Sequence, residues 1–479
     1  MTIAGARPIR FAVVGAGISG LAATRRLHQL RPEAEIVLYE AAERAGGKLR
    51  RVEVGGARID VGAESMLVRR PEAVTLASEL GLDQIHPRTT SALLRNRGGN
   101  RLLPARTVMG IPADLDALER ADVVSAQTLD RIAAEPADQP ALEGDVSVGE
   151  LVADRFGDEV VDRLVEPLLG GVYAGRARAI STQAALPALY RRLHEQGGSL
   201  RAAVQAGLPP ASPVPPTAAA PVFASLPGGL ARLAESIAAD GSFRLVLGTP
   251  VRRISRTASG FRLELGAASG FSSAMPAVSA VAEVDGVVLA TPAGKTATLL
   301  AELAPVAAAE LAGIETASMA IVTLAFAGRP ALPAGSGLLI PAVEGLACKA
   351  MTFSSQKWPG VGADAGVFLL RASLGRAGDE RTLQYEDAEL VSIMRRELAQ
   401  LTGVTAEPVD QHVQRWGGAL PQYAVGHVDR VERIRHAVAA VPGLAVCGAS
   451  YDGVGIPACI ASARLAADRV SQAGRPVAQ

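Results

Sequence analysis

The chain has 479 residues, too long for one ordinary hydrophobic core, so two or three domains are expected. Its 48 basic and 48 acidic residues cancel, which excludes a global field that recruits nucleic acid or an anionic bilayer, while a local patch stays open. The cysteines, Cys348, Cys447 and Cys459, are too few and too scattered for a disulfide framework or a zinc knuckle; no metal site is expected, and a reducing compartment, the cytoplasm, is favoured. No run of about 18 apolar residues occurs and no signal-peptide h-region opens the chain, so neither a transmembrane segment nor a secretory leader is expected. Peripheral membrane contact through an amphipathic helix stays open. Lysine occurs only at Lys48, Lys295, Lys349 and Lys357, with arginine carrying the rest of the positive charge, a pattern of coding bias before function.

In chain order, the first signal is strand-like FAVV at 11–14. Gly15, Gly17 and Gly20 follow in G-x-G-x-x-G spacing, then helical periodicity over 21–30. That order is the context in which the spacing cradles a pyrophosphate. The first glycine turns the chain, the second admits the phosphate to the backbone, and the third lets helix and sheet pack. The helix N-terminus offers the anion unpaired N–H groups and the positive end of a dipole. A second apolar run at 36–39 ends in Glu40, where a carboxylate can accept the ribose hydroxyls of an adenosine. The glycine pair in Glu43-Arg44-Ala45-Gly46-Gly47-Lys48 suits backbone passing close to a bulky planar ligand, which favours FAD over NAD. Residues 60–65, Asp60-Val61-Gly62-Ala63-Glu64-Ser65, read as a second loop against the same cofactor.

Further along, 71–80 predicts a helix with Pro71 at its start and Gly81 as its stop. Residues 91–103 predict a hairpin turning at Gly98-Gly99, with Arg95, Arg97 and Arg101 around the turn; a solvated basic hairpin and a carboxylate-binding one both suit it. Ser147-Val148-Gly149-Glu150 has capping-box spacing and opens a long helical pattern over 151–169. Between 197 and 221 the chain is rich in Ala, Pro and Gly, cannot build a core, and is expected to be a loop; 266–280 is a smaller insertion of the same kind. Strand-like runs at 244–247, 251–254, 261–265 and 286–291 return the chain to the nucleotide domain. Runs at 321–326, 337–340 and 367–373, with an amphipathic helix over 387–401, predict a second sheet. At the far end a strand at 444–447 enters GASYDGVGIP at 448–457 and a helix over 458–470. If that helix starts at the flavin pyrimidine, its dipole stabilises charge arriving on reduction.

The whole reads as an α/β protein. It has a Rossmann-like FAD-binding domain in three parts (7–90, 223–295, 441–472), a mixed-sheet substrate domain (a hairpin at 91–110, then 296–440), a helical insertion (111–222) and a tail (473–479).

Eight stretches then point to one family: VVGAGISGLAA at 13–23, ERAGGKLR at 43–50, VGAES at 61–65, EPLLGGVYAG at 166–175, SLPGGL at 225–230, KAMTFSSQKWP at 349–359, LPQYAVGH at 420–427 and GASYDGVGIPACI at 448–460. Almost end to end, the chain resembles the flavin-dependent protoporphyrinogen/coproporphyrinogen oxidase family of haem biosynthesis, within the larger group that includes amine oxidases and phytoene desaturases. EPLLGGVYAG and LPQYAVGH are the specific stretches; the first, second and last are shared in kind by many flavoproteins. The resemblance implies FAD contacts at Gly15, Ala16, Gly17, Ile18, Ser19, Gly20, Glu40, Lys48, Gly62, Ala63, Glu64, Ser65, the backbone of Val251, Trp416, Val454, Gly455 and Ile456. Trp416 also suits a core aromatic. Ala63 and Glu64 depart from the pattern, where many relatives carry proline and a different polar residue, so substrate specificity is not readable from that loop.

The resemblance further implies a six-electron oxidation of a cyclic tetrapyrrole, with O₂ reoxidising the flavin to give hydrogen peroxide. Methylene bridges between electron-rich pyrroles assist hydride loss, so no strong base is demanded; His28, His86, His194, His412, His427 and His436 form no triad or ligand spacing. Propionates need cationic partners, and Arg69, Arg70, Arg95 and Lys349 are the candidates, each equally an ordinary surface charge. An aliphatic lining is expected from 168–173 and 338–340. Coproporphyrinogen III, with four propionates, is favoured over protoporphyrinogen IX because the chain resembles the soluble bacterial branch. The expected partners are the tetrapyrrole, O₂ and a transient downstream haem-pathway enzyme, with no nucleic acid. The nearest rival is an amine oxidase. That group carries a lysine near the flavin at the start of a substrate-domain strand, where Ser318-Met319-Ala320-Ile321-Val322 has none. A scaffold in which FAD is merely structural is a third reading.

Overall fold

The computed structural model describes residues 7–209, 221–266 and 280–473. At its centre is a five-stranded parallel sheet in the order Arg244–Val246, Glu35–Tyr39, Arg10–Val14, Gly286–Leu289, Leu444–Val446. Strand-forming, β-branched and aliphatic residues dominate these short runs, and both faces of the sheet are covered. Alternation along the first strand decides the layering. Phe11 and Val13 join helices Ile18–Leu30, Ala231–Ala238 and Ile456–Val470 in one core. Ala12 and Val14 enter a second core with helices Ala293–Leu300, Pro305–Ala312 and His427–Ala439 and a three-stranded antiparallel sheet, Val251–Arg256, Phe261–Leu265, Val281–Val284. Helices Ile18–Leu30 and Ile456–Val470 pack side by side, and Arg26 reaches Asp468 at 2.7 Å. The two ends of the chain therefore share one layer.

A second, seven-stranded mixed sheet runs Asp410–Pro421, Thr316–Phe326, Phe368–Leu374, Cys348–Thr352, Gly337–Leu339, Leu93–Asn96, Gly99–Leu102. Its one parallel pair joins Gly337–Leu339 to Leu93–Asn96. Helix Asp387–Thr402 covers one face through Leu390, Met394 and Leu398. The other face meets the hairpin Arg51–Val54/Ala57–Asp60, with Ala325 and Leu369 packed against Val54 and Ile59. A helical region with its own core, centred on Leu118, Phe156, Leu164 and Leu193, packs against this sheet through helix Glu166–Tyr173.

Three expectations change. The pattern over 151–169 is not one helix: Val148–Phe156 stops at Gly157, whose φ of 93° no other residue type adopts readily, and the chain resumes through a π-helical turn at Val161–Val165 before Glu166–Tyr173. The hairpin turns at Arg97-Gly98, one residue early, because Asn96 pairs with Gly99. Both turn residues have positive φ, 48° and 78°, as the twist of a two-residue hairpin requires. Within 197–221, Leu200–Gly207 is a helix whose Leu200, Ala203 and Val204 are buried, so that part does contribute to a core. The rest of the proline-rich stretch, 210–220, and most of the 266–280 insertion lie outside the described residues, as do 474–479 of the tail.

Candidate active site

The strand Arg10–Val14 ends at Gly15, and the glycine turn that follows divides its work by position. A Cβ on Gly20 would sit 1.8 Å from the Gly15 carbonyl oxygen, so that glycine serves helix–strand packing; a Cβ on Gly17 would meet nothing within 4 Å. The space beside Gly17 is open to a ligand. Gly17 is also the N-cap of helix Ile18–Leu30, with no side-chain cap and no acidic residue in the first turn. Helix Ile456–Val470 begins in the same way, capped by Gly455 with no side-chain bond and no acid. Two helix ends thus present bare N–H groups and a positive dipole, which suits a diphosphate at one and a reduced flavin at the other.

Glu40 stands at the end of strand Glu35–Tyr39. One carboxylate oxygen accepts the Ala16 N–H at 2.7 Å and the other that of Ala42 at 2.9 Å. A carboxylate has about four acceptor positions, so lone pairs remain for ribose hydroxyls. The Thr249 N–H donates to the Glu40 carbonyl at 2.8 Å, which brings the segment leading to Val251 alongside. The Gly46 N–H donates to the Ala16 carbonyl at 2.8 Å, laying the second glycine pair across the first turn. Lys48 is solvent-exposed yet closely surrounded by protein, the condition of a group lining a deep cleft, and that crowding lowers its pKa. These features fit a flavin dinucleotide.

The loop from Asp60 to Ser65 is wedged into the same place. A Cβ on Gly62 would lie 2.0 Å from the Lys48 carbonyl oxygen, and the Trp416 indole N–H donates to the Val61 carbonyl at 2.8 Å. Trp416 is therefore a strut for the loop as well as a candidate wall. The Glu64 side chain is turned inward: its carboxylate pairs with Lys357 at 2.6 Å and Arg371 at 2.7 Å. Burial pushes the Glu64 carboxyl upward, but Arg371 and then Lys357 win and hold it at about 2. Arg371 also donates to the carbonyls of Asp60 at 2.5 Å and Gly62 at 3.2 Å. Only the backbone of Glu64 remains free for a cofactor. Beside this loop Asp60 receives the N–H groups of Leu230 and Ala231, yet burial still raises its carboxyl to about 6. At the far end, the Cys459 thiol donates to the Gly453 carbonyl at 3.8 Å, and a Cβ on Gly448 would lie 3.9 Å from the Ser19 hydroxyl. Residues 15–20, 40–48, 60–65 and 448–459 are thus brought together in one place.

The aliphatic lining is narrower than the sequence suggests. On helix Glu166–Tyr173, Leu169 and Tyr173 turn into the helical core, leaving Leu168, Gly171 and Val172 on the other face, with Val172 43% exposed. Of 338–340, strand alternation sends Leu338 and Ile340 into the opposite core, so only Leu339 faces the helices. Tyr173 also meets Tyr423, whose hydroxyl donates to the Ala449 carbonyl of the C-terminal glycine loop and whose ring stacks on His427 at 4.1 Å. The two most specific motifs of the sequence are joined there to the cofactor cleft.

The basic candidates separate. Lys349, 4% exposed, occupies a bulge in Cys348–Thr352 and donates to the Gly375 carbonyl at 2.9 Å; burial, with Arg376 nearby, lowers its pKa to about 7. Arg95 faces Glu344 at 3.9 Å and Asn100 at 3.4 Å, within a network in which Arg163 also reaches Glu344 and Asn96. Its charge is spent joining the hairpin to the helical region. Arg70 pairs with Glu72 at 2.8 Å, while Arg69 is exposed and makes no ion pair among the described residues. Sequence reasoning passed over Arg371 and Lys357. The signal for Arg371 was an arginine inside the apolar run FLLRASL, where a charge persists only if paired.

The sequence profile described as flavin containing amine oxidoreductase matches residues 18–471. A coproporphyrinogen III oxidase of Mycobacterium leprae is 39% identical over 458 residues, 95% of this chain and 96% of that one. A coproporphyrinogen III oxidase of Bacillus subtilis is 33% identical over 469 residues, again 95% and 96%. A crystal structure of a protein assigned as a protoporphyrinogen oxidase, from Exiguobacterium sp. 255-15, superposes with a TM-score of 0.84 at 31% identity, covering 98% of this chain and 99% of that one. Since the matched region spans both glycine-turn helices and Glu40 keeps lone pairs for a ribose beside the first of them, the chain belongs to the flavin-containing amine oxidoreductase family, and its flavin is FAD.

Proposed function

We propose that this oxidoreductase converts coproporphyrinogen III to coproporphyrin III, a six-electron oxidation in haem biosynthesis in which O₂ is reduced to hydrogen peroxide. The observation that carries the reading is the half-exposed aliphatic face of Leu168, Gly171 and Val172 on a helix that packs against the strand of Lys349 and whose Tyr173 meets Tyr423, the residue bonded to the C-terminal glycine loop. A flat macrocycle suits the first and its carboxylates suit the second. When bound, FAD would supply a two-electron acceptor, so that three reduction and reoxidation cycles account for the six electrons removed. The chain's own residues orient and enclose. Gly17 and the helix ends position the cofactor; Gly62, Trp416 and the Glu64 backbone fix the loop beside it; Leu168, Gly171, Val172 and Leu339 exclude water from the macrocycle.

No residue need act as a strong base. His427, the histidine nearest this region, is buried and stacked, and burial lowers its pKa to about 4, so it stays neutral. Lys349, protonated below about pH 7, supplies a cation for a propionate. In this reading the protein works in the cytoplasm, where its three buried free thiols stay reduced. Among the described residues, no helix is long and apolar enough to cross a membrane.

Anaerobic mixing tests the proposal. Coproporphyrinogen III should bleach the flavin absorbance faster than protoporphyrinogen IX, and admitting oxygen should restore the colour with release of peroxide. Faster bleaching by protoporphyrinogen would transfer the chain to the second reading, which the similarity to the Exiguobacterium structure favours. No bleaching by either would end both.

A further inference from the structure

The loop from Asp60 to Ser65 is held from below by the substrate sheet in an unusually complete way. Three successive carbonyls, of Asp60, Val61 and Gly62, accept bonds from side chains of that sheet: Arg371 takes the first and third, Trp416 the second. Two residues on, the Glu64 carboxylate is clamped between Lys357 and Arg371. All three charged side chains are largely removed from water, with side-chain exposures of 13% for Glu64, 17% for Lys357 and 9% for Arg371. Their fields are weakly screened and act over several ångströms.

Such an arrangement is more than packing requires. An apolar trio would hold the loop without desolvating three charges, and buried ion pairs contribute little net stability against hydrophobic replacements of like shape. Arg371 interrupts the apolar strand Phe368–Leu374, and the Glu64 carboxylate is spent on Lys357 and Arg371. The loop lies directly against Lys48 and Trp416 at the FAD cleft.

We infer that Glu64, Lys357 and Arg371 form a positioning triad that fixes the flavin loop and sets the reduction potential of the bound FAD through the balance of its buried charges. Removing the negative member leaves two uncompensated cations beneath the flavin loop and favours the electron-rich reduced form. Removing a positive member leaves the carboxylate less compensated and disfavours it. The direction of the potential shift therefore follows the charge removed, whereas a merely structural triad shifts stability in one direction whatever is removed.

The test uses the purified holoenzyme and needs no substrate. The midpoint potential of bound FAD is measured by dye-equilibrated reduction for Glu64→Gln, Arg371→Met and Arg371→Lys, alongside thermal midpoints and FAD release. Glu64→Gln should raise the potential and Arg371→Met lower it, while both lose thermal stability. Arg371→Lys should return the potential toward wild type but release FAD about tenfold more readily, because a lysine cannot bridge the Asp60 and Gly62 carbonyls. Should Arg371→Met fail to fold, Lys357→Met removes the same unit of charge, keeps the Arg371 contacts, and should also lower the potential. Shifts of the same sign in Glu64→Gln and either methionine variant, or unchanged potentials with lowered thermal midpoints, would overturn the inference.

Discussion

Five helix starts in the helical region and the two at the FAD cleft are built on opposite rules. Helices Leu115–Ala121, Ala126–Ala133, Val148–Phe156, Thr182–Ala185 and Leu200–Gly207 open on Asp114, Ser125, Ser147, Ser181 and Ser199, each accepting a first-turn N–H with its own side chain. Ser147 completes a reciprocal box with Glu150. Helices Ile18–Leu30 and Ile456–Val470 open on glycine, with neither cap nor acid. The first group is finished within the polypeptide; the second leaves its donors to a ligand. A missing cap alone is not the signature. Helix Ala231–Ala238 has no side-chain cap at its own start and borrows Asp60, which receives the Leu230 and Ala231 N–H groups. What marks the cofactor helices is a glycine start with neither cap nor first-turn acid, and at Gly17 the missing side chain leaves open space besides.

The comparison can be broken most directly at Gly17. Its φ of −70° tolerates any residue and nothing stands within 4 Å of its absent Cβ, so Gly17→Asp should cap the helix internally. FAD affinity should fall on the order of a thousandfold, since a carboxylate then occupies the phosphate position, while the apoprotein becomes slightly more stable. Flavin absorbance after purification and the apoprotein melting curve report both effects. A yellow Gly17→Asp enzyme would remove the basis of the contrast.

The next test concerns a helix start that protein groups complete. His427–Ala439 begins at Gly426, whose N–H donates to Asp145 at 2.9 Å from another element. There burial lowers the His427 pKa from 6.5 to about 4 despite its bond to the Tyr451 carbonyl. A depressed folded-state pKa means stability fully present above pH 6.5 and lost as pH falls toward 4, by roughly 3 kcal/mol. His427→Gln should flatten the melting temperature over that window relative to wild type; parallel profiles would show that the imidazole is not the titrating group.

Lys349→Met sharpens the substrate side. It should lower kcat/KM for coproporphyrinogen about thirtyfold, roughly 2 kcal/mol, narrow the preference over protoporphyrinogen, and leave flavin absorbance and melting temperature intact or improved. Because burial lowers the lysine to about 7, wild-type kcat/KM should decline as pH rises through neutrality and the variant should not follow. Equal kinetics in the two proteins would take the propionate away from this lysine. The smallest effect belongs to the self-sufficient group: Ser147→Ala should cost about 1 kcal/mol of stability with FAD content unchanged, and loss of flavin there would blur the distinction.

Legibility in the sequence followed the range of the interaction. The glycine turn, the capping box at Ser147 and the strands of the parallel sheet depend on neighbours a few residues away, and they stand where the pattern puts them; in the second sheet Cys348–Thr352 and Asp410–Pro421 have no counterpart among the expected runs. The break at Gly157 did not show, since Val148 to Tyr173 is helical in composition on both sides and only the left-handed φ interrupts it. The hairpin slipped by one residue because Arg97 adopts positive φ where a second glycine stood available. In the site, residues carried by motifs came together, but the partners of side chains did not announce themselves. Arg95 is neutralised by Glu344 and Glu64 by Arg371, each pair nearly 250 residues or more apart in the chain. Charge pairing across such distances leaves no local trace.

The strand order of the parallel sheet also constrains how the protein is made. Arg10–Val14 leaves the ribosome first, yet its inner neighbour is Gly286–Leu289 and the edge beyond that is Leu444–Val446. Through most of translation the nascent glycine turn therefore has only Glu35–Tyr39 beside it, and its remaining apolar flanks stay available to chaperones or to wrong partners. FAD loading becomes the last event of biogenesis, and a nonsense mutation ahead of the closing helix should yield a colourless, aggregation-prone product even though every residue of the first phosphate turn is present.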